Sequence, residues 1–131
     1  MKKVLFMLIM AMTFMSCHKS IEDRAARETK EFTEKQCPTP PVNNTRTDSV
    51  SFDKTTRTIN NYYTLVKSAD NPKSITENKS RFHKIIIKAL KDDTGLRSYK
   101  EAKFNFHFVY YSEHQKGMIL YEDSVKPNEY Q

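Results

Sequence analysis

Few residues in this chain have the types and spacing needed for chemistry. There is no G-x-S-x-G, no H-E-x-x-H, no phosphate-binding glycine loop and no C-x-x-C, the patterns that would mark a nucleophile, a zinc pair, a phosphate cradle or a redox dithiol. His107 and His114 could meet across the last hairpin as two metal ligands, but a firm site needs three or four ligands with supporting partners. They read instead as a sheet-face residue and an exposed turn residue. No metal, cofactor or catalytic residue is expected, and the chain is read as a non-enzyme. Binding chemistry remains. Arg81, Lys84, Lys88 and Lys91 form a basic row suited to anionic headgroups, phosphates or an acidic polymer, and equally to plain solvent. Tyr62-Tyr63 and Tyr110-Tyr111, if extended, each put one ring on either side of a sheet. Tyr62 and Tyr111 are the candidates for an outward platform for a sugar or a partner protein, the alternative being cross-strand packing under the first helix.

The first 17 residues carry an address. Lys2-Lys3 is followed by an apolar run from Val4 to Met12, extended by Phe14-Met15, and then by the small Ser16, the three-part logic of a secretory signal. The run is too short to cross a bilayer, which takes about 20 residues. Phe14-Met15-Ser16-Cys17 resembles a bacterial lipobox, so residues 1–16 are expected to be cleaved and Cys17 to carry the lipid. The alternative is an ordinary leader with a soluble product, but no A-x-A-like site supports it. Several acyl chains on Cys17 would tether the protein firmly, since each buried methylene adds about 0.8 kcal/mol. His18 stands where an Asp would signal inner-membrane retention, so the expected place is the outer membrane, on either its periplasmic side or the cell surface. Lipidation leaves Cys37 as the one remaining thiol, either buried or paired between molecules.

Removing that leader, with Lys2 and Lys3, takes the chain from 131 residues and a formal charge of +6 to 115 residues and +4. That is one small domain and no nucleic-acid binder. The leader also holds five of the six Met, so the mature part is more polar than the overall 37% apolar content. Six Phe and seven Tyr remain in it, enough for one thin hydrophobic layer.

The elements follow from patterning. Residues 17–44 are read as the lipidated N-terminus, a charged helix and a proline-rich linker. The helix, Ser20 to Gln36, opens with Ser20 and Asp23 as a capping box and has a thin apolar stripe of Ile21, Ala25 and Phe32. It is either a stalk or a lightly docked arm, and Cys37-Pro38-Thr39-Pro40-Pro41 ends it. A small α+β domain spans residues 45–126. Alternation predicts a hairpin from Asp48 to Val66, then a helix from Ser74 to about Asp92 that gathers Ile75, Phe82, Ile85, Ile86, Ala89 and Leu90 on its core side. Gly95 would end that helix in a left-handed turn. Phe104, Phe106, Phe108 and Tyr110 alternate through a strand, Glu113 to Gly117 turns, and Met118 to about Val125 returns. Residues 127–131 are read as a frayed tail. The predicted fold is α+β: an N-terminal helix, then a four-stranded antiparallel sheet in ββαββ order with one helix packed on a face.

From about Lys30 onward, Cys37-Pro38, Thr45-Arg46-Thr47-Asp48-Ser49 and Tyr62-Tyr63-Thr64-Leu65 resemble a group of small exported bacterial proteins, many of them lipoproteins of Bacteroidota. The resemblance covers about half the mature chain. It implies an envelope protein of unassigned biochemistry and places Cys37, Arg46 and Asp48 in one structural corner, an Arg-carboxylate pair beside a packed thiol. Asp48-Ser49-Val50 and Asp123-Ser124-Val125 also resemble the D-S/T-hydrophobic acceptor of periplasmic O-glycosylation in that group, which would make Ser49 and Ser124 sugar acceptors. The expectation is a lipid-anchored envelope protein that acts as a non-catalytic binding or accessory module. Its partners would be the membrane, through the anchor, and an unknown protein or polysaccharide. The alternatives are an inhibitor or immunity-type lipoprotein acting on an envelope hydrolase, and a weak metal-binding protein.

Overall fold

The computed structural model describes residues 20–131; the leader, Cys17 and the lipidation expected there lie outside them. The chain runs α1 (Ile21–Gln36), β1 (Thr45–Asp53), β2 (Thr58–Leu65), α2 (Pro72–Glu77), α3 (Lys79–Asp92), α4 (Arg97–Glu101), β3 (Asn105–Ser112), β4 (Ile119–Val125) and α5 (Pro127–Tyr130). Short 3-10 turns at Lys67–Ala69 and Thr94–Leu96 join them. No helix among the described residues is long and apolar enough to cross a membrane.

The fold is α+β with an N-terminal helix ahead of four strands, as the patterning predicts, and the strands lie in the order β1-β2-β3-β4. One part of the expectation changes. The outer pairs are antiparallel, but β2 and β3 run parallel, with Ile59 opposite Phe106 and Tyr63 opposite Tyr110. Side-chain alternation fixes faces and not directions, whereas the helices between Leu65 and Asn105 are a crossover long enough to return the chain to the starting end of β2.

Nor is there one covering helix. On one face Phe52, Ile59, Phe106, Phe108, Tyr110 and Val125 form a single core with Ala25 of α1, Ile75 of α2, and Ile86 and Leu90 of α3. Phe104, fully buried, stacks on Phe52 at 4.8 Å and on Tyr99 at 5.6 Å. Thus α1 is no stalk. Its Ser20 side chain caps the helix by accepting from the Asp23 N–H, Ala25 is fully buried, and the Thr33 hydroxyl both donates to the Val50 carbonyl (2.7 Å) and accepts from the Val50 N–H (2.9 Å). Among the described residues the other sheet face carries no helix.

Three local expectations are corrected. The predicted helix from Ser74 is two helices broken at Asn78, and the residue that caps the first is Asn71, accepting from the Ser74 N–H. The break rotates the phase, so Ile85 is half exposed and Ala89 exposed, while His83 and Ile87 turn inward. Gly95 takes no left-handed turn; Asp93 stops α3 and its carboxylate accepts from the Gly95 N–H. The final residues are not frayed: Tyr130 is buried and donates to the Phe104 carbonyl at 2.7 Å.

Candidate functional site

Two cavities of about 320 and 310 Å3 lie between the sheet and the α2–α3 side of the core, and both are lined by Ile86 and Tyr110. The first opens among Asn43, Thr45, Ser68 and Asn71, with Phe82, Ile85 and Tyr121 as its apolar wall. The second runs along Ile59, Asn61 and Tyr63 under Leu90 and Leu96. Tyr63 and Tyr110 stack on the floor, centroids 4.8 Å apart. Burial pushes the Tyr63 phenol up to about 12 and raises Tyr110 as well, so both stay protonated donors. Neither hydroxyl has a hydrogen-bond partner among the described residues. An apolar trough with a few unengaged polar groups has the composition of a recognition site.

The helix that supplies the cleft wall is basic on its solvent side. On the solvent side of α3, Arg81, Lys84 and Lys91 are exposed and have no ion-pair partner among the described residues, while Lys88 pairs with Asp92 at 2.8 Å. Half-exposed Ile85 lies beside these residues on the cleft wall.

Two polar hubs frame the cleft. Asp70, its side chain 2% exposed, accepts from the Ser112 hydroxyl (2.8 Å), the His114 N–H (2.9 Å) and His114 Nδ1 (2.7 Å). These donors, the His114 N–H first, hold its carboxyl at about 2. Serine, aspartate and histidine meet here in the wrong order for nucleophilic catalysis, since the serine donates to the carboxylate and nothing draws its proton toward the imidazole. At the second hub, His83 Nδ1 lies 2.7 Å from Asp123 and Nε2 lies 3.3 Å from Glu129, while the Tyr121 hydroxyl also donates to Asp123 (2.8 Å). The Asp123 hydrogen bond raises the His83 pKa. This hub pins α3 and α5 to β4.

The bare sheet face holds the remaining sequence candidates. Tyr62 and Tyr111 lie diagonally across β2 and β3, Tyr62 edge-on to His107 at 6.5 Å. They are on the opposite side of the sheet from Arg81, Lys84, Lys88 and Lys91, so the six candidate binding residues divide into two surfaces. First-helix packing does not explain the two rings, because α1 covers the other face. Ser49, opposite Tyr62, and Ser124, opposite His107, flank the same bare face. His107 is held between Asn60 (2.9 Å) and Glu122 (2.7 Å) and does not meet His114. The described residues contain no metal-ligating group of three. Arg46 pairs with Asp48 at 2.8 Å, and Asp48 also accepts from the Thr64 hydroxyl. Cys37, half-buried and free, has its thiol pKa raised by burial and by the Asp48 charge.

Tyr63 and Tyr110 are not among the sequence candidates, although the paired tyrosines carry their signal: the outward ring of each pair lies on the bare face and the inward ring floors the cleft.

A family model described as a domain of unknown function, DUF8479, matches residues 20–121. No curated protein matches the chain in sequence. Two solved structures share its fold. One is a Pseudomonas aeruginosa protein described as secreted, with a TM-score of 0.64 at 8% identity, covering 87% of this chain and 100% of its own. The other is the pilotin EpsS of the Vibrio vulnificus type 2 secretion system, with a TM-score of 0.60 at 9% identity, covering 84% of this chain and 91% of its own. At these identities the likeness is one of fold.

Proposed function

The chain belongs to the DUF8479 family, and from that premise we propose that it is an exported, lipid-anchored envelope protein that binds a partner protein without catalysis. The occupant of its cleft is a partner segment with apolar side chains flanked by acidic ones. The observation that carries this reading is the open trough between the sheet and the α2–α3 pair, walled by Ile85, Ile86 and Phe82, with the unpaired Arg81, Lys84 and Lys91 exposed on the same helix as that wall. Apolar walls supply the burial energy, the cations beside Ile85 on α3 select the sign of the partner, and the free Tyr63 and Tyr110 hydroxyls answer its backbone carbonyls. Export and the envelope are supported by the lipobox-like Phe14-Met15-Ser16-Cys17. A fold shared with a protein described as secreted and with a secretion-system pilotin suits the same setting. The chain would then stand with the small Bacteroidota-type lipoproteins that its Cys37-Pro38 and Thr45–Ser49 pattern resembles.

The test is an NMR titration of the full chain in detergent micelles with two synthetic peptides of the same leucine pattern, one flanked by Glu and one by Lys. The Glu-flanked peptide is expected to shift Ile85, Ile86, Tyr63 and Tyr110 and to bind at least tenfold more tightly than the Lys-flanked one. Equal affinities, or shifts confined to the bare sheet face, would overturn the assignment.

A further inference from the structure

We infer that the outer edge of β4 is a second protein-binding surface, which takes up an extended partner segment by strand addition with a basic side chain opposite Glu122. The two edges of the sheet are treated differently. At β1 the outward backbone groups of Thr45, Thr47 and Val50 are answered from within. Thr33 engages both groups of Val50, while the Thr39 N–H donates to the Thr47 carbonyl and the Thr39 hydroxyl accepts from the Thr47 N–H, both at 3.0 Å.

At β4 nothing does so. The Asn105 and Glu113 N–H groups of the β3 region donate to the β2 side, at the Arg57 and Leu65 carbonyls, and the Ser112 N–H donates to the Met118 carbonyl on the β4 side. Even-numbered β3 residues therefore bond β4, and their partners Tyr121, Asp123 and Val125 direct both backbone groups inward. Glu122 and Ser124 turn theirs outward, and among the described residues those groups have no partner. Helix α2 lies against β4 but gives it no hydrogen bond.

The free groups set the form of the ligand, because a donor and an acceptor repeating every second residue are matched by another strand. Glu122 sets its charge. It is half exposed and stands at the centre of Ile119–Val125, so antiparallel pairing of β4 with its own copy about that point would oppose Glu122 to Glu122. Like charges directly opposite are destabilising. The edge thus rejects a second copy and suits a segment bearing Lys or Arg. Met118 and Ile119, 37% and 47% exposed at the start of the strand, give that segment apolar contact. This surface is independent of the cleft, since the Glu122 and Ser124 side chains lie on the bare face.

The experiment reads amide hydrogen exchange in the full chain in micelles, with and without the capped peptide Thr-Val-Lys-Val-Lys-Val-Thr. At saturation the Glu122 and Ser124 amides are expected to slow at least tenfold. Glu122→Lys should bind that peptide about fivefold more weakly and recover binding when the peptide lysines become glutamates. Unchanged exchange at Glu122 and Ser124 would overturn the inference, as would indifference of Glu122→Lys to peptide charge or dimerisation of the chain through β4.

Discussion

The rings of Tyr63 and Tyr110, neighbours across the parallel β2–β3 pair, stack 4.8 Å apart at the bottom of a cleft and leave both hydroxyls unengaged among the described residues. If those hydroxyls serve a ligand and not the fold, Tyr63→Phe should leave the melting temperature within a degree of the parent. The same change should weaken the Glu-flanked peptide severalfold, the loss of one hydrogen bond of about 1 kcal/mol. Calorimetry and the peptide titration check the two halves.

Asp70 joins the loop before α2 to the turn after β3. Its carboxyl, held at about 2, lies below the ordinary carboxylate value of about 3.9. A depressed pKa contributes stability that is present above the unfolded value and lost as pH falls through the folded one. The Asp70 contribution should therefore disappear between about pH 4 and pH 2. Asp70→Asn should cost about 2 kcal/mol at neutral pH, several degrees in Tm, and its gap from the parent should close over that acid window in melts recorded from pH 5 to pH 2.

His83 shifts the other way. Its raised pKa, caused first by the Asp123 hydrogen bond, stabilises the fold fully below the unfolded imidazole value of about 6.5 and loses effect as pH rises through the folded value. Thermal melts of His83→Gln should fall below the parent at pH 5.5 and converge toward it at pH 9. A constant gap would show that the ring acts by packing alone.

Phe104 is fully buried between Phe52 and Tyr99, with the Arg57 guanidinium 5.0 Å from its ring. Phe104→Ala should cost about 3–5 kcal/mol by chemical denaturation, a large part of the stability of so small a domain.

The sequence carried the faces of this protein better than its directions. Alternation of Phe106, Phe108 and Tyr110 located the buried sheet face, and Ser20 located the start of α1. Period-2 patterning is blind to whether neighbouring strands run alike, so the parallel β2–β3 pair was hidden. A one-residue break at Asn78 was enough to move Ile85 from the expected core to the cleft wall. Asp70 was legible only as a loop residue, because its partners Ser112 and His114 are more than 40 positions away.

The tether is tested separately from the cleft. Radiolabelled palmitate should enter the parent, and Cys17→Ala should lose the label and leave the membrane fraction. An unlabelled parent that fractionates like Cys17→Ala would remove the anchor from the account.

The most direct test of the central claim places a photoreactive phenylalanine analogue at residue 85 in the full chain and irradiates living cells. The account predicts one dominant polypeptide adduct whose cross-linked stretch is apolar with flanking acids. A synthetic copy of that stretch should bind the parent and should lose at least tenfold in affinity to the double variant Arg81→Glu, Lys84→Glu. No adduct, an adduct to lipid, or a stretch that binds the double variant as tightly as the parent would contradict it.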